Sequence, residues 1–184
     1  GRNQLSTNEN NTYQVGGGTS AASPGVAGVI AQLYHAYKSI NSVSNPPAAL
    51  IKASLLNTAE DIGNAGPDFI YGWGRINALR ALRTIEENRY LTDSILQGQN
   101  KTHNIIIPAG TKQVRVMVYW SDVGGSPAAA PALVNNLNMK VTDPSTTQWN
   151  PWILDPTPIA ANLNTPAVRG VDSLNNMEQV TLEN

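Results

Sequence analysis

Apolar and polar positions along the chain follow two different periods, and the change falls near residue 90. From Ser20 to about Ile40 the chain is rich in Ala, Val and Ile. Val26, Ile30, Leu33 and Tyr37 recur at helical spacing, while Ala22, Gly25, Ala27 and Gly28 fill other faces. A helix that is apolar nearly all round is expected to be buried. Asn45-Pro46-Pro47 reads as an N-cap followed by first-turn proline, opening a second helix to about Thr58. Residues 61–74, with Gly63, Gly66, Pro67, Gly72 and Gly74, read as loop. A third helix is expected from an N-cap at Asn77, through Leu79, Leu82 and Ile85, to about Asn88. Ahead of these, residues 1–20 are polar and rich in Asn and Thr, with one short strand expected over 12–15.

After Tyr90 the period drops to two. Residues 103–107 read as a short strand and Pro108-Ala109-Gly110 as a turn. Over 113–120, Val114, Val116, Val118 and Trp120 alternate with Gln113, Arg115, Met117 and Tyr119. Leu137, Met139 and Val141 alternate again and stop at Asp143-Pro144-Ser145, a turn signal. The last strand is expected over 178–182, and residues 149–176 are too irregular to assign. The second half, residues 93–184, therefore reads as an all-β sandwich, and the boundary falls near residues 89–94.

Composition narrows the function classes. Of 184 residues, 41% are hydrophobic and 14% charged, which argues for a packed core rather than a disordered chain. A net charge of −1 without like-charge blocks gives no electrostatic footprint for nucleic acid or an anionic membrane. Cysteine is absent, which removes disulfides, thiolate metal sites and cysteine nucleophiles together. Gly1 at the start and the strand-like run Val180-Thr181-Leu182-Glu183-Asn184 at the end both look cut, so a piece of a longer protein is expected.

The segment with chemistry in it runs Gly18-Thr19-Ser20-Ala21-Ala22-Ser23-Pro24-Gly25-Val26-Ala27-Gly28. Three glycines, Gly16 to Gly18, permit turns closed to other residues, and Ser20 follows where a long helix begins. Free backbone N–H groups and the positive end of the helix dipole there would stabilise charge developing on a carbonyl oxygen. The plainer alternative is that Ser20 caps the helix, a far commoner use of serine. The segment is not the G-x-S-x-G elbow of the α/β-hydrolases, because Ala22 holds the last position.

The run resembles the serine signature of the subtilisin-like proteases, Gly-Thr-Ser-x-Ala-x-Pro-x-Val-Ala-Gly. The resemblance extends over the helix to about Ile40, over Leu55-Leu56-Asn57-Thr58-Ala59, and over Tyr71-Gly72-Trp73-Gly74-Arg75-Ile76-Asn77-Ala78. It implies an α/β fold over residues 1–90, the C-terminal part of a parallel-sheet peptidase domain, ahead of the all-β sandwich. It also implies that Ser20 is the nucleophile, its backbone N–H part of the oxyanion hole, with Gly18, Thr19 and Pro24 as motif support. Ala132-Leu133-Val134-Asn135-Asn136-Leu137-Asn138 and Asn175-Asn176-Met177-Glu178-Gln179-Val180 are similar to the C-terminal jelly-roll domain of oxidatively stable, alkaline-type bacterial subtilases. That likeness implies a secreted enzyme acting on protein or peptide, with no cofactor needed for the chemistry.

The family's His, Asp and oxyanion Asn lie upstream of its serine, so the missing N-terminal part of the same domain is the expected partner. His35 is fifteen residues along the helix, about 22 Å away at ~1.5 Å per residue, and His103 belongs to the β half. A serine without a base is a weak nucleophile, so the chain alone is expected to be inactive. Its helix should leave Val26, Val29, Ile30 and Leu33 partly exposed. Ala21 stands where many subtilases have Met, which removes a site of sulfoxide formation. Asp122 with Asn135, Asn136 and Asn138 offers oxygen ligands for a structural calcium, against the commoner use of Asp and Asn in turns. Trp73 and Trp120 read as packing residues, and Trp149 and Trp152 stay open between packing and sugar stacking. A pseudoprotease, or a β-sandwich that binds or stabilises, are the alternatives to the peptidase.

Overall fold

Leu5 and Thr7 alternate with Gln4 and Ser6, and in the computed structural model this alternation forms a strand hidden by the polar composition of the N-terminus. The structure describes residues 1–42 and 45–183. β1 (Gln4–Asn8) pairs antiparallel with β2 (Thr12–Gly16), setting Leu5 opposite Val15 and Thr7 opposite Tyr13. At the tip Asn10 and Asn11 take φ of 57° and 60°, a region asparagine tolerates better than most residues. Leu5, Tyr13 and Val15 are all exposed.

α1 (Thr19–Asn41), α2 (Ala48–Thr58) and α3 (Ala78–Glu86) follow, near the expected limits. Asn77 caps α3 as expected, its side chain accepting the Arg80 N–H at 2.9 Å. Two expectations fail. Pro47, not Asn45, is the N-cap of α2, and the first turn closes through Ile51 N–H to Pro47 C=O at 3.3 Å. Proline fixes the extended-to-helical entry without a capping side chain. α1 is not buried all round: Leu33 is its one buried residue, at 1% exposure, while Val29 and Ile30 are half-buried and Val26 is exposed. The helix has partners on one side only. There Leu33, Ile51, Ala81 and Ile85 form the core, ringed by Val29, Ile30, Tyr34, Tyr37, Leu55 and Leu82.

The loop between α2 and α3 is folded back on itself. Glu60 and Arg75 exchange backbone hydrogen bonds of 2.7 and 2.8 Å. Gly74 has φ of 106°, and a β-carbon there would come within 2.1 Å of the Glu60 carbonyl oxygen, so only glycine fits. The Glu60 carboxylate also receives the Arg75 guanidinium and, at 2.8 Å, the Asn77 amide that caps α3.

Beyond residue 90 there are six strands among the described residues, four of them only two residues long. β3 (Gln113–Tyr119) pairs antiparallel with β8 (Met177–Glu183), Val116 opposite Val180. β4 (Val141–Thr142) pairs with β5 (Gln148–Trp149), and β6 (Trp152–Ile153) with β7 (Val168–Arg169). All ladders among the described residues are antiparallel and two-stranded. The chain therefore mixes helices with small antiparallel sheets. Residues 103–107 form no strand: they lack a ladder partner, and Ile106 is 95% exposed. Of the alternation over 137–141 only Val141 joins a strand. The irregular 149–176 region holds β6, β7 and a 3-10 turn at Ala160–Asn164.

The two halves touch. The Asn57 amide donates to the Arg115 carbonyl at 3.1 Å, and the Arg115 guanidinium donates to the Ala59 carbonyl at 2.6 Å. Arg115 thus places positive charge at the C-terminal end of α2, the favoured end of its dipole. Gly66, at φ 80°, lies against the Trp152 indole, where a β-carbon would meet ring atoms at 3.0–3.2 Å.

Candidate active site

Ser20 is the second residue of α1 and is exposed, as are Gly18 and Thr19. Gly18 is the N-cap, with φ 115° and ψ 179°, a region essentially closed to residues with a side chain. The requirement is conformational, since no atom lies within 4 Å of where its β-carbon would sit. Gly18 also ties the segment to the chain start, donating to the Gly1 carbonyl at 2.6 Å and accepting from the Gly1 amine at 3.1 Å.

The Gly18 carbonyl accepts from the N–H groups of Ala21 and Ala22 at 3.2 and 3.3 Å. Among the described residues the Ser20 N–H makes no backbone hydrogen bond, and its hydroxyl makes none at all. Ser20 is therefore not a helix cap. It sets a free N–H and a free hydroxyl together at the positive end of a 23-residue helix. Pro24 lies inside α1, four residues on. Lacking an N–H, it cannot donate to the Ser20 carbonyl, and its ring crowds that oxygen. The motif thus frees the backbone of Ser20 on both sides.

No base joins this group. Ser20 has no hydrogen bond to a histidine or carboxylate among the described residues. His35 is exposed further along α1, and His103 sits in the 91–112 loop, 3.4 Å from Asp93. Asp93 accepts from Lys101 and Ser94, bonds that hold its pKa below the usual carboxylate value. That cluster is a loop tie.

Of the residues considered for calcium, Asp122 and Asn135 are joined by hydrogen bonds. Asp122 accepts from the N–H groups of Val123, Val134 and Asn135 and, at 2.8 Å, from the Asn135 amide. Desolvation alone would raise its pKa, but these bonds outweigh it and the value is lowered. Both oxygens of Asp122 are occupied by N–H donors, as in a loop brace. No group of three or more His, Cys, Asp or Glu that could hold a metal stands among the described residues. Three of the four tryptophans are engaged within the fold, and Trp73 lines an open groove beside α1 and α2. The Trp120 indole N–H donates to the Asn135 carbonyl at 2.9 Å, and that of Trp149 to Asp143 at 3.0 Å. Trp152 donates to the Thr181 hydroxyl, with the Arg169 guanidinium 3.5 Å from its ring centroid.

Comparison with known families reaches part of the chain. The family model Peptidase_S8, subtilase family, matches residues 2–74. The match covers the β1–β2 hairpin, the Ser20 segment, α1, α2 and the loop as far as Gly74, and it supports a serine peptidase parent. No curated protein and no solved structure matches the chain.

The sequence gives no sign of two residues that organise this region. Glu60 braces Arg75 and Asn77 together, yet a Glu after a helix looks like any surface charge. Glu178 is fully buried, although it occupies an ordinary polar place in an alternating strand.

Proposed function

We propose that this chain is part of a secreted subtilisin-like serine endopeptidase in which Ser20 is the nucleophile. The observation that carries the reading is the Gly18-Thr19-Ser20 turn at the head of α1, inside the span that matches the subtilase family. In the proposed reaction the Ser20 hydroxyl attacks the carbonyl carbon of a peptide bond. Its proton passes to a histidine and from there to the leaving amine. Water then hydrolyses the resulting ester on Ser20, and the free Ser20 N–H bonds the carbonyl oxygen while it carries negative charge.

The histidine, its aspartate and the second oxyanion donor belong to residues outside these 184, upstream of Ser20, so the chain alone is inactive. Surface supports this. Val26, Ile30, Ile51, Leu55 and Trp73 line an open, mostly apolar groove of about 500 Å³ that further sheet would cover. Residues 93–184 make a second, jelly-roll-like domain in this proposal, nucleated by the β3–β8 ladder and completed by more strands. The substrate is protein or peptide, and the chemistry draws on no cofactor.

A fluorophosphonate, which phosphonylates activated serines, tests the assignment on the full-length parent. Label should sit on Ser20 and vanish, with turnover, in Ser20→Ala. Label on another serine, or turnover unchanged in Ser20→Ala, would overturn it.

A further inference from the structure

Glu178 sits where a charge is least welcome. It is 1% exposed on β8, opposite Val118 of β3 and next but one to the buried Val180. Its Oε2 accepts the Met139 N–H at 2.5 Å, while its Oε1 is buried without any partner. A carboxylate has roughly four acceptor sites to satisfy, and an ion left short of them in the interior costs several kcal/mol.

The surrounding groups do not neutralise it. Asp172, itself buried, adds a second negative charge, and its oxygens already accept from the N–H groups of Leu174 and Asn175 and the Asn175 amide. The cations of neighbouring elements are directed elsewhere. Arg115 of β3 donates to the Ala59 carbonyl, and Arg169 of β7 to the Asn150 and Thr181 carbonyls. Lys52 of α2 lies over the Tyr119 ring, and Lys140, beside Met139, is exposed. None of the ion pairs among the described residues includes Glu178.

We infer that Glu178 is a proton-operated latch, which as the neutral acid seats the 137–142 segment on β8 and on ionising releases it. The neutral carboxyl keeps the Met139 bond through its carbonyl oxygen and removes the buried charge. Burial and the negative charge of Asp172 raise its pKa from 4.5 to about 7, against backbone hydrogen bonds from Met139 and Asp172 that lower it. A carboxyl raised on folding favours the folded state fully below its unfolded value of 4.5. That contribution is lost as pH rises through about 7. The latch does not depend on the role of Ser20.

The test is made on the full chain. Carbon-13 NMR of the Glu178 carboxyl should show a midpoint near 7 instead of the ordinary 4.5. Protection of the Met139 N–H from hydrogen exchange, corrected for intrinsic rate, should fall across the same interval. Between about pH 5 and pH 8.5 the unfolding constant should rise roughly a hundredfold from this group. Glu178→Gln keeps an acceptor for Met139 without the charge and should remove that part of the pH dependence. A Glu178 midpoint near 4.5, or Met139 protection that ignores the titration, would overturn the latch. So would a Glu178→Gln variant with the same pH dependence as the parent chain.

Discussion

Gln179 reaches Asn57 across 122 residues of sequence, its Nε2 donating to the Asn57 Oδ1 at 3.0 Å while the Asn57 amide donates to Arg115. One asparagine at the end of α2 thus holds both strands of the β3–β8 ladder. Asn57→Ala leaves a buried Gln179 amide and the Arg115 carbonyl without partners. It should destabilise the chain by about 1–3 kcal/mol, read from urea melts. A double-mutant cycle with Gln179→Ala should show coupling above ~0.5 kcal/mol, and strict additivity would mean that the bond contributes nothing.

Leu33 is the point where α1 is anchored, packed in one cluster with Ile51, Ala81 and Ile85. Leu33→Ala should lower stability by about 2–5 kcal/mol, whereas Val26→Ala, on the exposed side of the same helix, should change it little. Thermal melts of the two variants make the comparison. Equal losses would mean that Val26 is covered as fully as Leu33.

Gly18 takes a backbone conformation that side chains avoid. Gly18→Ala should cost of order 1–3 kcal/mol although there is open space for the methyl group. In the full-length parent it should also reduce turnover, because Ser20 two residues on would be displaced. A variant with unaltered melting and turnover would show that the turn carries no strain.

Ser20 is a separate case, since its side chain bonds to nothing among the described residues. Ser20→Ala should therefore shift stability by less than ~0.5 kcal/mol. In the parent enzyme turnover should fall by several orders of magnitude, leaving a residue from oxyanion donors and binding. A large loss of stability would instead point to a structural serine.

Much of the helical half could be read in the linear sequence because its signals are local. The α3 start follows from Asn77, whose side chain needs only the N–H three residues on. The Ser20 segment is likewise local: glycine conformation, the helix start and Pro24 all act within seven residues. Strands depend on partners. The alternation over 113–120 became a strand because β8 pairs with it, whereas residues 103–107, with three isoleucines in a row, found no partner and stayed exposed.

Sequence alone determined where α1, α2 and α3 run, to within a few residues, and that Ser20 heads the first of them. Those features rest on backbone hydrogen bonds and conformational preferences spanning only a few residues. Tertiary structure alone decided which faces are covered, so a helix apolar on all sides was left buried only at Leu33. It also decided that Asp122 braces a loop and that Glu178 stands without a cation. Burial and charge pairing are properties of what comes close in space, and a residue's type does not contain its neighbours.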